Sequence, residues 1–381
     1  MSQTKAQLVD AVDGSIVAAD LAADCVTTAK VANSAITDAK ISGLTSSKLT
    51  GALPAISGAA LTGISSAGKA KNLIINGAMQ VAQRGTSSTT NGYASLDRFR
   101  NVYSNVDENV TQSQVDVASG TTPYTLGFRK ALKITNGNQT SGDNGNTNIQ
   151  IWQRIESQYI ANSGWNYLSA SSYVTLQFWV KSSVAQNFNC YLLNEDTTQN
   201  TYPFETGSLT ADTWTKITKT IPGNSNLTFV NDSGAGLRVA ICPFNGTNRT
   251  ANSLSNDTWV TFDGSNLTRD NTTTWLTTND ATFEITGVQL ELGNAATDFE
   301  NLSFGDTLAQ CQRYYHSVEQ AVWNNQIYQN HYFPTTMRAN PSITSTSTGP
   351  DQVRKSNWYG KRATGANTGG ISFNWTADAE L

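Results

Sequence analysis

Apolar and polar residues alternate with a period of two along much of this chain. Val174-Thr175-Leu176-Gln177-Phe178-Trp179-Val180 is one such run, and Trp214 to Ile221, Leu237 to Ile241 and Phe283 to Leu290 are others. A two-residue period sends successive side chains to opposite faces of a pleated strand, so each run predicts a strand with one apolar face. Asn76-Gly77, Asn91-Gly92, Asn136-Gly137 and Gly223-Asn224 lie between the runs. Such dipeptides favour tight turns, and no helical stretch of convincing length interrupts the series. Residues 72–303 are therefore expected to fold as a single β-sandwich. In its closing strand Gln289 and Glu291 alternate with Val288, Leu290 and Leu292, as the outward and inward faces.

Residues 304–381 read differently. Leu308, Cys311, Gln312, Tyr315 and Val318 recur at spacings of three or four, and Gly305 and Asp306 precede them, so the spacing predicts a helix over 304–320. A strand-rich segment follows, dense in aromatics for its size: Trp323, Tyr328, Tyr332, Phe333, Trp358, Tyr359, Phe373 and Trp375.

Before residue 72 the period changes again. Ile16, Leu21, Val26, Val31, Ile36 and Ile41 recur at every fifth position. At about 100° per residue, each helical step would turn about 140° and scatter these side chains round the cylinder; in a flat strand an odd step alternates faces. The chain must bend or wind at each repeat. Two arrangements achieve this: a single-chain β-helix, or several chains wound about one axis with each apolar residue meeting its symmetry mates. Asp24, two places before Val26, breaks the small-residue pattern of a single-chain pentapeptide solenoid and favours the shared axis. The first aromatic residue is Tyr93, so residues 16–71 have little from which to build a core of their own. Thr4 to Val12 could form a short helix with Leu8, Val9 and Val12 on one side and Gly14 at its end.

Composition narrows the function classes. Only 14% of the 381 residues are charged and the net charge is -4, so there is no basic face of the size that neutralises nucleic-acid phosphates. Asp10, Asp13, Asp20 and Asp24 interrupt any signal-peptide core after Lys5, and nowhere do about 18 apolar residues run together to insert in a membrane. Cys25, Cys190, Cys242 and Cys311 show no CxxC spacing and are expected to be buried free thiols. His316 and His331 fit neither an HExxH nor an HxH pattern, so no metal, cofactor or histidine-based triad is expected.

Several motifs resemble one family. Leu53-Pro54-Ala55-Ile56-Ser57-Gly58-Ala59-Ala60-Leu61-Thr62-Gly63-Ile64 looks like the shaft repeats of tailed-bacteriophage fibre proteins. Asn72 to Gly85, followed by Leu96-Asp97-Arg98-Phe99, resembles the opening of a domain common in phage tail and virion proteins. Ile285 to Gly293, Ala296 to Glu300, Cys311-Gln312-Arg313-Tyr314-Tyr315, Met337-Arg338-Ala339-Asn340-Pro341 and Ala377-Asp378-Ala379-Glu380-Leu381 are similar to its end, in order and spacing. The resemblance implies a jelly roll like that of carbohydrate-binding modules, and a homotrimer. It thus divides this mainly β chain into a virion attachment segment (1–15, with Leu8, Val9 and Val12), a trimeric repeat shaft (16–71), the jelly-roll sandwich (72–303) and a helix with an aromatic-rich β segment (304–381).

The function expected from this is a virion tail fibre, made in the host bacterial cytoplasm. Its partners would be the phage tail or adaptor proteins and a host-surface receptor, a glycan or a protein. Aromatic faces stack on sugar rings while amides and hydroxyls bond to sugar hydroxyls. The sandwich tryptophans Trp152, Trp165, Trp179, Trp214, Trp259 and Trp275 fall largely in strand-like runs and are expected mostly in the core. Trp323, Tyr328, Trp358 and Tyr359 are therefore the candidate receptor contacts. Glycan hydrolysis would need two carboxylates flanking the bond. Asp97, Glu156, Glu195, Glu205 and Asp212 are available but occupy no recognisable catalytic motif, so no enzyme is expected. The competing reading is a purely structural virion protein: an adaptor, a head fibre or a decoration. For Asp97-Arg98 and Glu291 to Glu300, charge pairing between neighbouring strands is the expected role.

Overall fold

The structure, a computed structural model, describes residues 72–322, 328–345, 350–361 and 371–381. The attachment segment and the shaft, with Leu8, Val9, Val12, Ile16, Leu21, Val26, Val31, Ile36 and Ile41, lie outside the described residues, as does Cys25.

Two six-stranded antiparallel sheets account for residues 87–292. The first has the spatial order β1 (Ser87–Ser88), β3 (Thr111–Asp116), β4 (Lys130–Thr135), β12 (Thr282–Leu292), β6 (Tyr173–Ser182), β9 (Thr215–Pro222). The second has the order β11 (Val260–Thr261), β8 (Asn200–Ser208), β7 (Asn187–Asn194), β10 (Ala235–Asn245), β5 (Asn148–Glu156), β2 (Arg100–Ser104). All four alternating runs lie in strands, β6, β9, β10 and β12, with Trp214 just ahead of its strand. Their inward residues meet in one core: Leu176, Phe178, Phe283 and Ile285 from the first sheet, Ile151, Phe188, Leu192 and Ile241 from the second. Full burial of side chains of this size contributes about 1.5–3 kcal/mol each.

Loops cover parts of both outer faces. Gln289 and Glu291, expected outward, are buried beneath residues 293–300. Glu291 accepts hydrogen bonds from Thr297 N (2.8 Å) and Thr297 Oγ1 (2.5 Å), and Gln289 accepts one from Glu300 N (2.8 Å). The alternation is therefore real, but its outward face is polar rather than wet. On the second sheet, Phe262 packs on Tyr191, Leu193, Ala240 and Cys242, while Asn189 donates to Arg269 O (2.9 Å). Cys190, Cys242 and Cys311 are buried free thiols.

The helix is shorter than its spacing predicts. It spans Phe304–Gln312, capped by Ser303, whose hydroxyl accepts from Asp306 N (3.1 Å). Tyr315 and Val318 belong instead to β13 (Tyr315–Val322), which pairs along its whole length with β18 (Ile371–Asp378). That partner is some 60 residues away, so local spacing carries no trace of it. With β15 (Ser342–Ser345) these strands form one three-stranded sheet. β14 (Tyr328–Tyr332), β17 (Asn357–Lys361) and β16 (Pro350–Val353) form another. A second core of Phe333, Met337, Trp358, Trp375 and Ala377 joins residues of both sheets.

A buried charged junction ties these sheets to the sandwich. Arg84 pairs with Asp378 (3.0 Å), Glu380 (3.4 Å) and Asp97 (3.9 Å), and its guanidinium lies 3.5 Å from the Tyr315 ring centre. Arg98, in a left-handed backbone conformation, pairs with Glu380, donates to Arg154 O (2.5 Å) and stacks 3.4 Å from the centre of the Tyr314 ring. Glu156 receives Arg313 (2.7 and 2.8 Å) and the Tyr314 hydroxyl (2.6 Å). Arg338 donates to Ser233 O (2.8 Å), Ala379 O (2.7 Å) and Glu380 O (3.0 Å). Arg98 thus reaches Glu380, in the chain beyond β18, while Asp97 is held by Gln83 and Arg84 of the opening turns, and neither pairs with a charge on a neighbouring sandwich strand.

Two predictions follow from this packing. A Cβ at Gly77 would sit 2.0 Å from Val288 O, inside the contact that seats the opening turn on β12. Gly77→Ala should therefore destabilise the fold by about 3 kcal/mol, read as a lower urea midpoint. Burial raises the Asp97 pKa to about 6, with Gln83 hydrogen bonds and the Arg84 charge offsetting only part of the effect. An unfolded Asp titrates near about 3.9, so this group's contribution is whole below that pH and falls by about 3 kcal/mol as pH rises through 6. Asp97→Asn, which stays neutral, should lack that fall when unfolding midpoints of the two proteins are compared from pH 3.5 to 7.5.

Candidate functional site

The outer face of the β14–β17–β16 sheet brings aromatic and amide side chains together. Register places Asn330 opposite Tyr359, His331 opposite Trp358 and Tyr332 opposite Asn357, with Gln352 and Val353 flanking Tyr359 and Trp358 on the other side. The pleat then divides the residues by parity. His331, Trp358 and Val353 point into the second core, where the His331 ring stacks on Trp358 at 4.4 Å between centroids and 22° between planes. Asn330, Tyr332, Asn357 and Tyr359 take the opposite face.

On that face Asn330, Gln352, Arg354, Asn357 and Tyr359 line a cleft of about 240 Å³. Tyr332 stands beside Asn357, 72% exposed. The two amides are already ordered: Asn357 Nδ2 donates to Asn330 Oδ1 (2.5 Å) and Ser356 Oγ donates to Asn357 Oδ1 (3.0 Å). Arg354 donates to Gln352 Oε1 (3.4 Å) and has no carboxylate within ion-pair distance among the described residues. Side-chain amides offer both donors and acceptors, guanidinium offers donors, and a phenol ring offers an apolar face with a polar tip. The cleft is smaller than the about 300–1,000 Å³ that encloses a drug-sized ligand, which suits a short stretch of a longer chain lying across the surface.

The four receptor candidates are placed as follows. Tyr359 lines the cleft. Trp358, its neighbour, is 1% exposed and is a core residue, so its indole is not offered to a ligand. Tyr328 lies in β14 and its side chain is outside the described residues, as is Trp323. Tyr332, Asn330, Gln352, Arg354 and Asn357 were missed. The signal was the two-residue parity: adjacent strand residues face opposite ways, so Trp358 and Tyr359 could not both be outward. Among the sandwich tryptophans, Trp165, Trp259 and Trp275 are buried, but Trp152, Trp179 and Trp214 are half-buried on the outer faces. Trp275 sits in a short helix, Thr274–Thr277, rather than a strand.

Three of the five candidate carboxylates serve other ends. Glu195 lies between Arg154 (2.8 Å) and Arg238, and Glu156 and Asp97 belong to the junction. Asp97 has a pKa near that of a general acid, yet it is 0% exposed. Burial would raise the Glu156 pKa, but hydrogen bonds from Arg313 and Tyr314 outweigh it and hold this carboxyl below the usual range. Among the described residues no group of three or more His, Cys, Asp or Glu could hold a metal ion, and no helix is long and apolar enough to cross a membrane.

No protein-family model and no curated protein matches this chain. Solved structures with partial likeness include the enzymatically active domain of bacteriophage CBA120 tailspike protein 4, at 11% identity and a TM-score of 0.30 over 58% of this chain and 21% of that one. A putative sugar-binding protein from Bacteroides thetaiotaomicron gives 12% identity and a TM-score of 0.31 over 58% and 100% of the two chains. A xylan-binding domain from Paenibacillus barcinonensis gives 10% and 0.27 over 60% and 100%. This chain spans about a fifth of the tailspike chain, and at these scores the likeness carries no argument about the site.

The parity of β17 has a direct test. Trp358→Ala should destabilise the protein by about 3–5 kcal/mol through loss of a buried indole. Tyr332→Ala, at an exposed position, should change stability by less than about 0.5 kcal/mol. Chemical denaturation of the two variants checks both; equal losses would show that the strand faces are assigned wrongly.

Proposed function

We propose that this chain is a trimeric fibre of the tailed-bacteriophage type that binds a glycan on the host surface and does not cleave it. In this reading residues 1–15 dock the fibre on the tail or an adaptor, residues 16–71 wind three chains together, and the Tyr359 face meets the receptor. The observation that carries the binding role is the segregation on β14, β17 and β16: rings needed for packing point inward, while Tyr332, Tyr359 and ordered amides point outward. The engagement of Asp97, Glu156 and Glu195 with buried cations supports binding without turnover, because glycosidic cleavage needs a free carboxyl pair flanking the bond. A purely structural virion role is the second reading, favoured by the way the resembling motifs gather at the packing junction instead of at the cleft.

The 381-residue chain should elute as three 41.0 kDa subunits in light scattering, and should adsorb to susceptible cells without releasing reducing sugars. Tyr332→Ala combined with Tyr359→Ala should lower cell binding by about tenfold or more while leaving the trimer intact. A stable monomer would end the shared-shaft model. Undiminished adsorption of the double variant would remove the Tyr359 face, and adsorption to no host would favour the structural role.

A further inference from the structure

The outer face of the second sandwich sheet holds a separate cluster of cations. Arg100 on β2 lies directly across from Trp152 on β5, and Trp152 is in turn opposite Ala240 on β10. Two residue pairs along, and so on the same face, Arg154 is opposite Arg238. The three guanidinium carbons stand 5.5 Å (Arg100), 5.6 Å (Arg154) and 3.8 Å (Arg238) from the Trp152 ring. Trp152 is itself fixed: its indole N–H donates to Gln150 Oε1 (2.5 Å), which also accepts the Tyr191 hydroxyl (3.0 Å). Arg238 covers the indole closely, so the ring acts here as a wall that orients cations.

The acceptors are unevenly shared. Glu195 accepts from Arg154 (2.8 and 3.0 Å) and from Arg238, and an oxygen of Leu381 takes a further bond from Arg154 (2.9 Å), so neither acceptor bonds Arg100. No hydrogen bond or ion pair holds the Arg100 side chain among the described residues; the Trp152 and Tyr93 rings adjoin it, the latter at 6.0 Å. Burial, together with Arg154 and Arg238 nearby, lowers its pKa against the opposing pull of Tyr93 and Glu195. Guanidinium presents a planar fork of donors that suits a carboxylate or phosphate.

We propose that Arg100, backed by Arg154 and Arg238 around Trp152, is a second binding site that takes an anionic substituent, carboxylate or phosphate, carried on a polysaccharide. That the anion is borne by a sugar chain rests on the function proposed above; the site itself shares no residue with the Tyr359 cleft.

Calorimetry on the full-length chain tests it with three probes: oligogalacturonate for carboxylate, poly(glycerol phosphate) for phosphate and maltoheptaose as the neutral control. At least one charged oligomer should bind, Arg100→Gln should weaken it about tenfold or more, and Arg100→Lys should retain part of the affinity. The better charged probe identifies the anion. Tyr359→Ala should leave this binding unchanged, so loss of cell adsorption in that variant with oligomer binding intact separates failure of one site from the other. The proposal is overturned if neither charged oligomer binds, if Arg100→Gln binds as the unmodified chain does, or if maltoheptaose competes equally.

Discussion

Four arginines and four carboxylates meet at the seam between the sandwich and the C-terminal sheets: Arg84, Arg98, Arg313 and Arg338 against Asp97, Glu156, Asp378 and Glu380. Removing one partner from a buried pair commonly costs about 3–5 kcal/mol because its mate is left charged in a low-dielectric site. The seam therefore demands that β18 and the residues after it, the start of β13 and the opening turns of the sandwich occupy fixed positions together. Burial alone would lower the Arg98 pKa; Glu380 beside it outweighs this and raises it, so the guanidinium stays charged and the pairing is obligatory. The Tyr314 and Tyr315 rings stack on two of these guanidiniums and exclude water from them.

That fixed seam has a consequence for the surfaces beyond it. The C-terminal segment is too short to bury its aromatics in one sheet, and it solves this by facing two small sheets across Trp358 and Trp375, which lie 5.6 Å apart at 72°. Satisfying the core from one side of β14 and β17 leaves the other side to tyrosines and amides. In the same way, loops that close over the outer faces of the sandwich leave the Arg100 and Trp152 corner only partly covered. Both candidate surfaces are thus what remains after packing and charge balance have been met elsewhere.

The motifs in Asn72 to Gly85, Leu96 to Phe99, Cys311 to Tyr315, Met337 to Pro341 and Ala377 to Leu381 are legible as a set in the sequence, and a structural role for Asp97 and Arg98 was readable there. Their shared destination was not. Arg84 and Asp378 are 294 positions apart, and no local pattern announces that such residues touch. Glu291 shows the converse: it follows the alternation as an outward residue, yet Thr297 folds back to bond it and turns an outer face into a second polar interior.

Strand identity in the sandwich was fixed by the amino-acid pattern alone, because a two-residue apolar period in a half-buried sheet has one energetically acceptable reading. The period-five tract and its missing aromatics are likewise features of the sequence alone, in residues that lie outside those the structure describes. Tertiary structure decided the rest. It cut the helix at Gln312 because a strand beginning at Ile371 competes for Tyr315 and Val318, and it chose which of Trp358 and Tyr359 faces solvent because only one parity fills the second core. It also left Arg100 without a direct ion pair among the described residues, since ion pairing depends on distances between strands that the order of residues does not contain.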